Sequence, residues 1–450
     1  MQPRIIPRKE HNISRRQISP NALRTLYRLR DHGFVAYLVG GCVRDLLLER
    51  TPKDFDIATD AAPNQIKRLF RNCRLIGRRF RLAHLHFQDE ILEVSTFRAA
   101  APDEEEENAE AGAEEVVEND LHRRHPLHLK DEDGMVLRDN VFGTPEEDAL
   151  RRDFTINALA YDIADAAVID YTTGLTDLQA GLLRPIGDPL VRFTEDPVRM
   201  IRAVRFAASH DLKIEPATWD VLCELAPTIC RASPARLYEE MQKLFLLGAA
   251  RPVFDRLEQS GLLAPLFPGL FRWLGREGNR RMLLAANLDY LDRLYREEKP
   301  PSPLLFLAAF FGPVLETEAL SHQRDGMPRQ QSLEITCAAF LEELCRTVHV
   351  PARVGGRMRN ILTMQPSLHR MPPRRPAALA ARLDFADAMA YLRLGAETRG
   401  ENVSALEWWD AFLSGVPSDA VPSTPTGDAP SKRRRRRRRR RRHPPVKNSE

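Results

Sequence analysis

Leu38-Val39-Gly40-Gly41-Cys42-Val43-Arg44-Asp45-Leu46-Leu47-Leu48, followed after a short turn by Asp54-Phe55-Asp56, is the stretch around which the chain is organised. Phe34 to Val39 is apolar and partly β-branched or aromatic, and reads as a strand. Gly40 and Gly41 lack the Cβ that would obstruct a tight turn or the approach of a phosphate to the backbone. Cys42 to Leu48 resumes at helical spacing, so amide N–H groups at a helix start face the turn and make a ready anion site. Asp54-Phe55-Asp56-Ile57-Ala58-Thr59 reads as a second strand, and residues two apart on a strand share a face. The sequence therefore predicts a phosphate cradle beside a paired-carboxylate metal site, the two requirements of nucleotidyl transfer.

The surroundings extend this into a domain. Ser19-Pro20 is an N-cap with proline in the first turn, Asn21 to His32 reads as a helix, and Gly33 closes it. Ala62 to Arg71 reads as a short amphipathic helix, and Leu82–Phe87 with Ile91–Phe97 as a hairpin. Glu146 to Ile163 has a helical pattern, and Ala167 to Tyr171 is a last short strand. From Leu182 onward no segment reads as a strand, and proline and glycine punctuate helical stretches as far as Trp408-Trp409. The expected fold is an α/β head with a small mixed sheet, then an all-α neck and body. The boundaries read as a flexible N-terminus over 1–18, a head over 19–181, a neck over 182–250 and a body over 251–414, with a disordered arginine-rich tail over 415–450.

Composition sharpens the picture. The net charge of +4 conceals an asymmetry: residues 431–450 carry ten consecutive arginines and two lysines against one glutamate, leaving the other 430 residues at −7. Asp103 to Glu118 holds nine carboxylates and no basic residue, within an insert over about 101–133. Runs of one sign this dense repel themselves and resist packing. A mobile cationic tail suits single-stranded RNA, whose phosphates it holds without reading sequence. The longest apolar run, Leu304 to Phe311, is too short to span a bilayer, so no membrane partner is expected. The six cysteines form no C-x-x-C pair, which fits reduced thiols in a cytoplasmic protein. His122, His125 and His128 fall in a mobile, cysteine-free segment and read as part of an inserted loop rather than a metal site.

Three further stretches bear chemistry. Arg151-Arg152-Asp153-Phe154-Thr155-Ile156-Asn157 brings two cations, a carboxylate and an amide together; arginine grips phosphate bidentately, and aspartate and asparagine suit ribose hydroxyls or a metal-bound water. Glu195-Asp196-Pro197-Val198-Arg199 opens a helix on which Arg199, Arg202 and Arg205 recur every third residue, a basic stripe suited to a base edge or RNA phosphate. Glu93 sits mid-strand as an unexplained carboxylate, a candidate third partner for Asp54 and Asp56.

Taken in order, these motifs, with Ser233-Pro234-Ala235-Arg236-Leu237-Tyr238-Glu239-Glu240 after them, resemble the class II tRNA nucleotidyltransferase/poly(A) polymerase family over roughly residues 19–250. The resemblance implies a five-stranded head, ATP as substrate with Mg²⁺ as cofactor, and catalytic aspartates at Asp54, Asp56 and Asp153. Asp54 and Asp56 would be the metal ligands, and either Glu93 or Asp153 the third carboxylate. Gly40, Gly41, Arg44, Arg152, Asn157, Asp196 and Arg199 would bind the nucleotide. Within the family, Leu75 to Leu85 and Leu137 to Gly143 are similar to the adenylate-adding branch, as are Trp408-Trp409 and the arginine-rich tail. The expected activity is therefore template-independent addition of AMP to RNA 3′ ends, with proteins of RNA decay as candidate partners. The alternatives are CCA addition to tRNA and a non-catalytic RNA-binding role.

Overall fold

The computed structural model describes residues 2–76, 82–99 and 142–415, apart from 277 and 325, together with short strands at 128–130 and 136–139. The acidic run, the arginine-rich tail, His122, His125 and the centre of the Leu75–Leu85 segment lie outside the described residues.

The head is built on a mixed sheet. Its strands are β1 (Arg4–Ile6), β2 (Ala36–Val39), β3 (Asp56–Thr59), β4 (Cys73–Ile76), β5 (Leu82–His86), β6 (Ile91–Thr96), β9 (Leu159–Asp162) and β10 (Ala167–Asp170), with β7 (His128–Lys130) and β8 (Val136–Asp139) forming a separate hairpin. The spatial order is β1-β10-β9-β2-β3-β6-β5-β4. The β3–β6 pair is parallel and the others antiparallel. The sheet thus has eight strands where the family resemblance implied five.

Two of the additional strands correct the sequence reading. Residues 2–18, expected as a flexible N-terminus, pack onto the head: Ile6, Ile13 and Ile18 are buried, and β1 pairs with β10. The three isoleucines are widely spaced among basic residues and follow no strand or helix period, so the segment reads as merely basic. The second correction concerns 146–163. The helix spans Pro145–Leu150 only, a 3-10 turn covers Thr155–Asn157, and Leu159–Asp162 becomes a strand between β2 and β10. Leu159, Ala160 and Tyr161 are all buried, so the strand lacks the period-2 alternation that would distinguish it from a helix.

The hairpin and the first helix stand where the sequence placed them. Ser19 Oγ accepts from the amides of Asn21 (3.2 Å) and Ala22 (3.4 Å) at the start of the helix Pro20–Asp31.

Among the described residues from 182 onward, the regular structure is helical except for two-residue strands, Leu182–Leu183 and Lys213–Ile214, which pair in parallel. The helix Pro303–Arg324 lies at the centre of the body, packed by Asn279–Arg296, Arg329–Cys345, Ala352–Leu368 and Phe385–Arg399. It is apolar all round because it has neighbours all round. Its stretch 303–323 has the length and hydropathy to cross a membrane, and 72% of that window is buried within the body. Phe245, Phe254, Phe267, Phe306, Phe310 and Phe311 knit it to the neck, with ring centroids 4.8–6.4 Å apart. At the far end Trp409 is buried and donates from Nε1 to Leu368 O at 3.1 Å. All six cysteines are free.

Candidate active site

The turn between β2 and the helix Gly41–Leu47 starts the site. Gly40 adopts φ 78°, ψ −134°, a conformation open in practice only to glycine, and its amide donates to Leu159 O at 3.1 Å. A Cβ at Gly40 would stand 2.7 Å from Arg152 Nη1. Gly41 has ordinary helical geometry, and a Cβ there would meet Arg44 Nη2 at 3.5 Å, a normal contact. Only the first glycine is demanded by the fold. Gly40→Ala is accordingly expected to cost about 1–3 kcal/mol of stability and to displace Arg152, whereas Gly41→Ala stays within about 0.5 kcal/mol; paired denaturant titrations and activity assays check this.

Gly40, Gly41, Asp54, Asp56, Arg152 and Asp153 line one cleft of about 810 Å³ between head, neck and body. β3 begins at Asp56, so Asp54 sits on the approach to the strand rather than within it. Asp56 lies opposite Glu93 in the parallel β3–β6 register. Burial pushes the Asp56 carboxyl up to about 6, with the charges of Glu93 and Asp54 adding to the effect and Arg152 opposing it. Crowding of negative charge on a half-buried carboxylate is what a divalent cation relieves, so the residues present fit Mg²⁺. Among the described residues no group of three or more His, Cys, Asp or Glu side chains gathers as a metal cage. A pair of carboxylates completed by substrate phosphates is the usual Mg²⁺ arrangement. The Glu93 side chain is half exposed and lies 3.3 Å from His84 Nε2.

Asp153, expected as a catalytic aspartate, is held by four donors. Its Oδ1 accepts from Phe154 N (2.9 Å) and Asn157 Nδ2 (3.0 Å), and its Oδ2 from Arg202 Nε (2.7 Å) and Nη2 (2.6 Å). Burial alone would raise this carboxyl, but Arg202 and Asn157 hold it at about 2. With both oxygens so engaged, this carboxylate fixes Asn157 and Arg202 in place. Asn157 in turn accepts from Arg44 Nη1 at 2.7 Å, and Arg44 also bonds Asp45 through Nε at 2.8 Å. Arg44, expected as a phosphate ligand, lines the cleft but spends its guanidinium on these partners and on the face of Phe206 (5.0 Å).

The basic stripe of the Val198–Ser209 helix is likewise neutralised rather than free. Arg199 pairs with Glu195 at 3.0 Å, Arg202 with Asp153 and with Glu240 (3.4 Å), and Arg205 with Glu240 (3.3 Å). Burial pushes Arg205 down to about 10 despite Glu240, whereas at Arg202 the carboxylates of Asp153 and Glu240 outweigh burial and raise it. Asp196 is gripped bidentately by Arg236, Nη1 to Oδ1 at 2.9 Å and Nη2 to Oδ2 at 2.7 Å. Arg192 bonds Glu195 at 2.9 Å and donates to the carbonyls of Arg151 (2.7 Å) and Arg152 (2.6 Å), tying neck to head. Arg192 is the member of this network that motif reading missed; Arg236 and Glu240 stood in the neck motif, but without their partners. The partners lie as far as 41 residues away in the chain, and an arginine near the start of a helix announces no partner.

Paired carboxylates beside a glycine turn, on a mixed sheet leading into a helical body, define a nucleotidyltransferase. Residues 36–184 match the poly A polymerase head domain, 211–274 the probable RNA and SrmB-binding site of polymerase A, and 325–443 the polymerase A arginine-rich C-terminus. The chain is 42% identical over 420 residues to poly(A) polymerase I of Salmonella typhi, covering 92% of this chain and 87% of that protein. It is 34% identical over 265 residues to a CCA-adding enzyme of Bacillus licheniformis, covering 59% and 58%. Among solved structures, the Bacillus stearothermophilus CCA-adding enzyme in complex with CTP is similar with a TM-score of 0.58 at 26% identity, over 89% of this chain and 84% of that one. The chain belongs to the poly(A) polymerase family.

Proposed function

We propose that this chain adds AMP from ATP to RNA 3′ ends without a template, in the cytoplasm. The observation that carries the reading is the meeting of Asp54, Asp56 and the Gly40 turn in one cleft whose neck side presents Asp196 and Arg199. Asp54 and Asp56 would hold Mg²⁺, which would lower the pKa of the attacking 3′-hydroxyl and offset charge on the pyrophosphate. The helix start at Gly41 offers backbone amides to the triphosphate, with Arg152 beside the turn. Asp196 and Arg199 face the base, and Arg236 and Glu195 fix their rotamers before the nucleotide arrives. Asp153 holds Asn157 and Arg202, and through Asn157 the guanidinium of Arg44.

Sequence similarity to poly(A) polymerase I spans nine-tenths of the chain at 42% identity, whereas the sequence match to the Bacillus licheniformis CCA-adding enzyme covers three-fifths of it at 34%. That difference favours adenylate tailing. Residues 211–274 are where we place RNA binding and where a protein partner of RNA decay is to be sought. The discriminating assay offers a tRNA lacking its terminal CCA together with CTP and ATP. The enzyme is expected to extend it with ATP alone; a product that needs CTP and stops within three additions overturns the assignment.

A further inference from the structure

The cleft extends beyond the groups that serve the nucleotide. Its outer part is lined by Lys53 from the head, by Lys243 and Leu247 from the end of the neck, and by Tyr295 from the last turn of the helix Asn279–Arg296. Lys243 is half exposed, though 3.2 Å from Glu240 Oε1, and Lys53 is exposed. Tyr295 lines the same part of the cleft as these two lysines and is 41% exposed.

The ring is not loosely placed. Gly248, with φ 76°, lies directly beneath it, and a Cβ at Gly248 would stand 2.4 Å from Tyr295 Cδ1 and 2.9 Å from Cγ. A left-handed glycine with no side chain thus seats the ring flush on the backbone just after the helix Pro234–Phe245. An aromatic platform of fixed orientation among cations is the arrangement by which proteins hold single-stranded nucleic acid irrespective of sequence, because every base has a π-face.

We infer that Tyr295 stacks on a base at the 3′ end of the RNA being extended, with Lys53 and Lys243 on the adjoining phosphates. The inference rests on the reading of the cleft as an RNA-extending site and adds to it the group that receives the primer. Stacking tolerates any base, as an enzyme that accepts arbitrary 3′ ends requires. It also favours purines, so each added adenylate would leave a better-held end than most sequences it replaced.

The test uses the full chain and a short unstructured RNA carrying 2-aminopurine as its 3′-terminal base, without ATP. Stacking quenches this fluorophore. Wild type is expected to quench it on binding, Tyr295→Phe to do the same, and Tyr295→Leu to bind with little quenching. In steady-state assays Tyr295→Leu should raise KM for RNA about tenfold while kcat at saturating RNA, KM for ATP and the unfolding midpoint stay close to wild type. Equal quenching by wild type and Tyr295→Leu, or a loss of kcat with KM for RNA unchanged, overturns the assignment of Tyr295. Failure of wild type to bind the RNA at all instead overturns the underlying reading of the cleft.

Discussion

Asp56→Asn is expected to abolish AMP incorporation, by on the order of 10³-fold or more in a single-turnover assay, without unfolding the protein. The carboxylate is held above its normal range by burial and by Glu93 and Asp54, so its charge opposes folding when no cation is bound. The sign follows from linkage. A carboxyl whose folded value is raised favours the protonated native state, so its unfavourable contribution grows as pH rises from about 4, the usual aspartate value, through about 6. In EDTA at neutral pH, Asp56→Asn should therefore melt at or above the wild-type temperature, and the difference should vanish below about pH 4. Asp54→Asn should match the loss of activity with little change in stability, because that side chain is exposed. A folded Asp56→Asn protein within tenfold of wild-type activity would remove the metal role.

The second large effect falls on the fold. Asp153→Ala leaves Arg202 and Asn157 facing a vacated position, and stripping one partner from a buried, multiply bonded ion pair costs about 3–5 kcal/mol. Its carboxyl is depressed to about 2, the pull of Arg202 and Asn157 exceeding the opposing effect of burial. The stabilisation is thus fully present above about pH 4 and disappears as pH falls toward about 2. Urea titrations of wild type and Asp153→Ala should diverge most at pH 7 and converge as the solution approaches pH 2. Were Asp153 an open metal ligand, the substitution would instead spare stability and remove activity alone.

What the sequence disclosed and what it hid divide along physical lines. The Gly40 turn and the strand around Glu93 were legible because each is local, a tight turn and a hairpin; the strand after the turn was legible too, but it starts at Asp56, so Asp54 does not share the two-residue period assumed for the pair. The neutralisation of Arg199, Arg202 and Arg205 was only partly legible, since Glu195 is four residues from Arg199 but Asp153 and Glu240 are 49 and 38 residues from Arg202. A basic stripe on a helix looks the same whether it faces solvent, RNA or buried carboxylates. β9 was hidden for a different reason. A central strand buried on both faces carries no alternation, and the preceding helix lends it a false continuity. The edge strand β1 was hidden by its arginine and its brevity, although Ile6, Ile13 and Ile18 were visible as apolar residues without a helical period.

The most direct measurement incubates the protein with Mg²⁺, an unstructured RNA and each nucleoside triphosphate in turn, and resolves the products by length. The account predicts a ladder of lengthening products with ATP, little extension with CTP, GTP or UTP, and no ladder when Asp54 and Asp56 are both replaced by asparagine. Extension by one to three nucleotides that depends on CTP, or an ATP ladder that survives the double substitution, would contradict it.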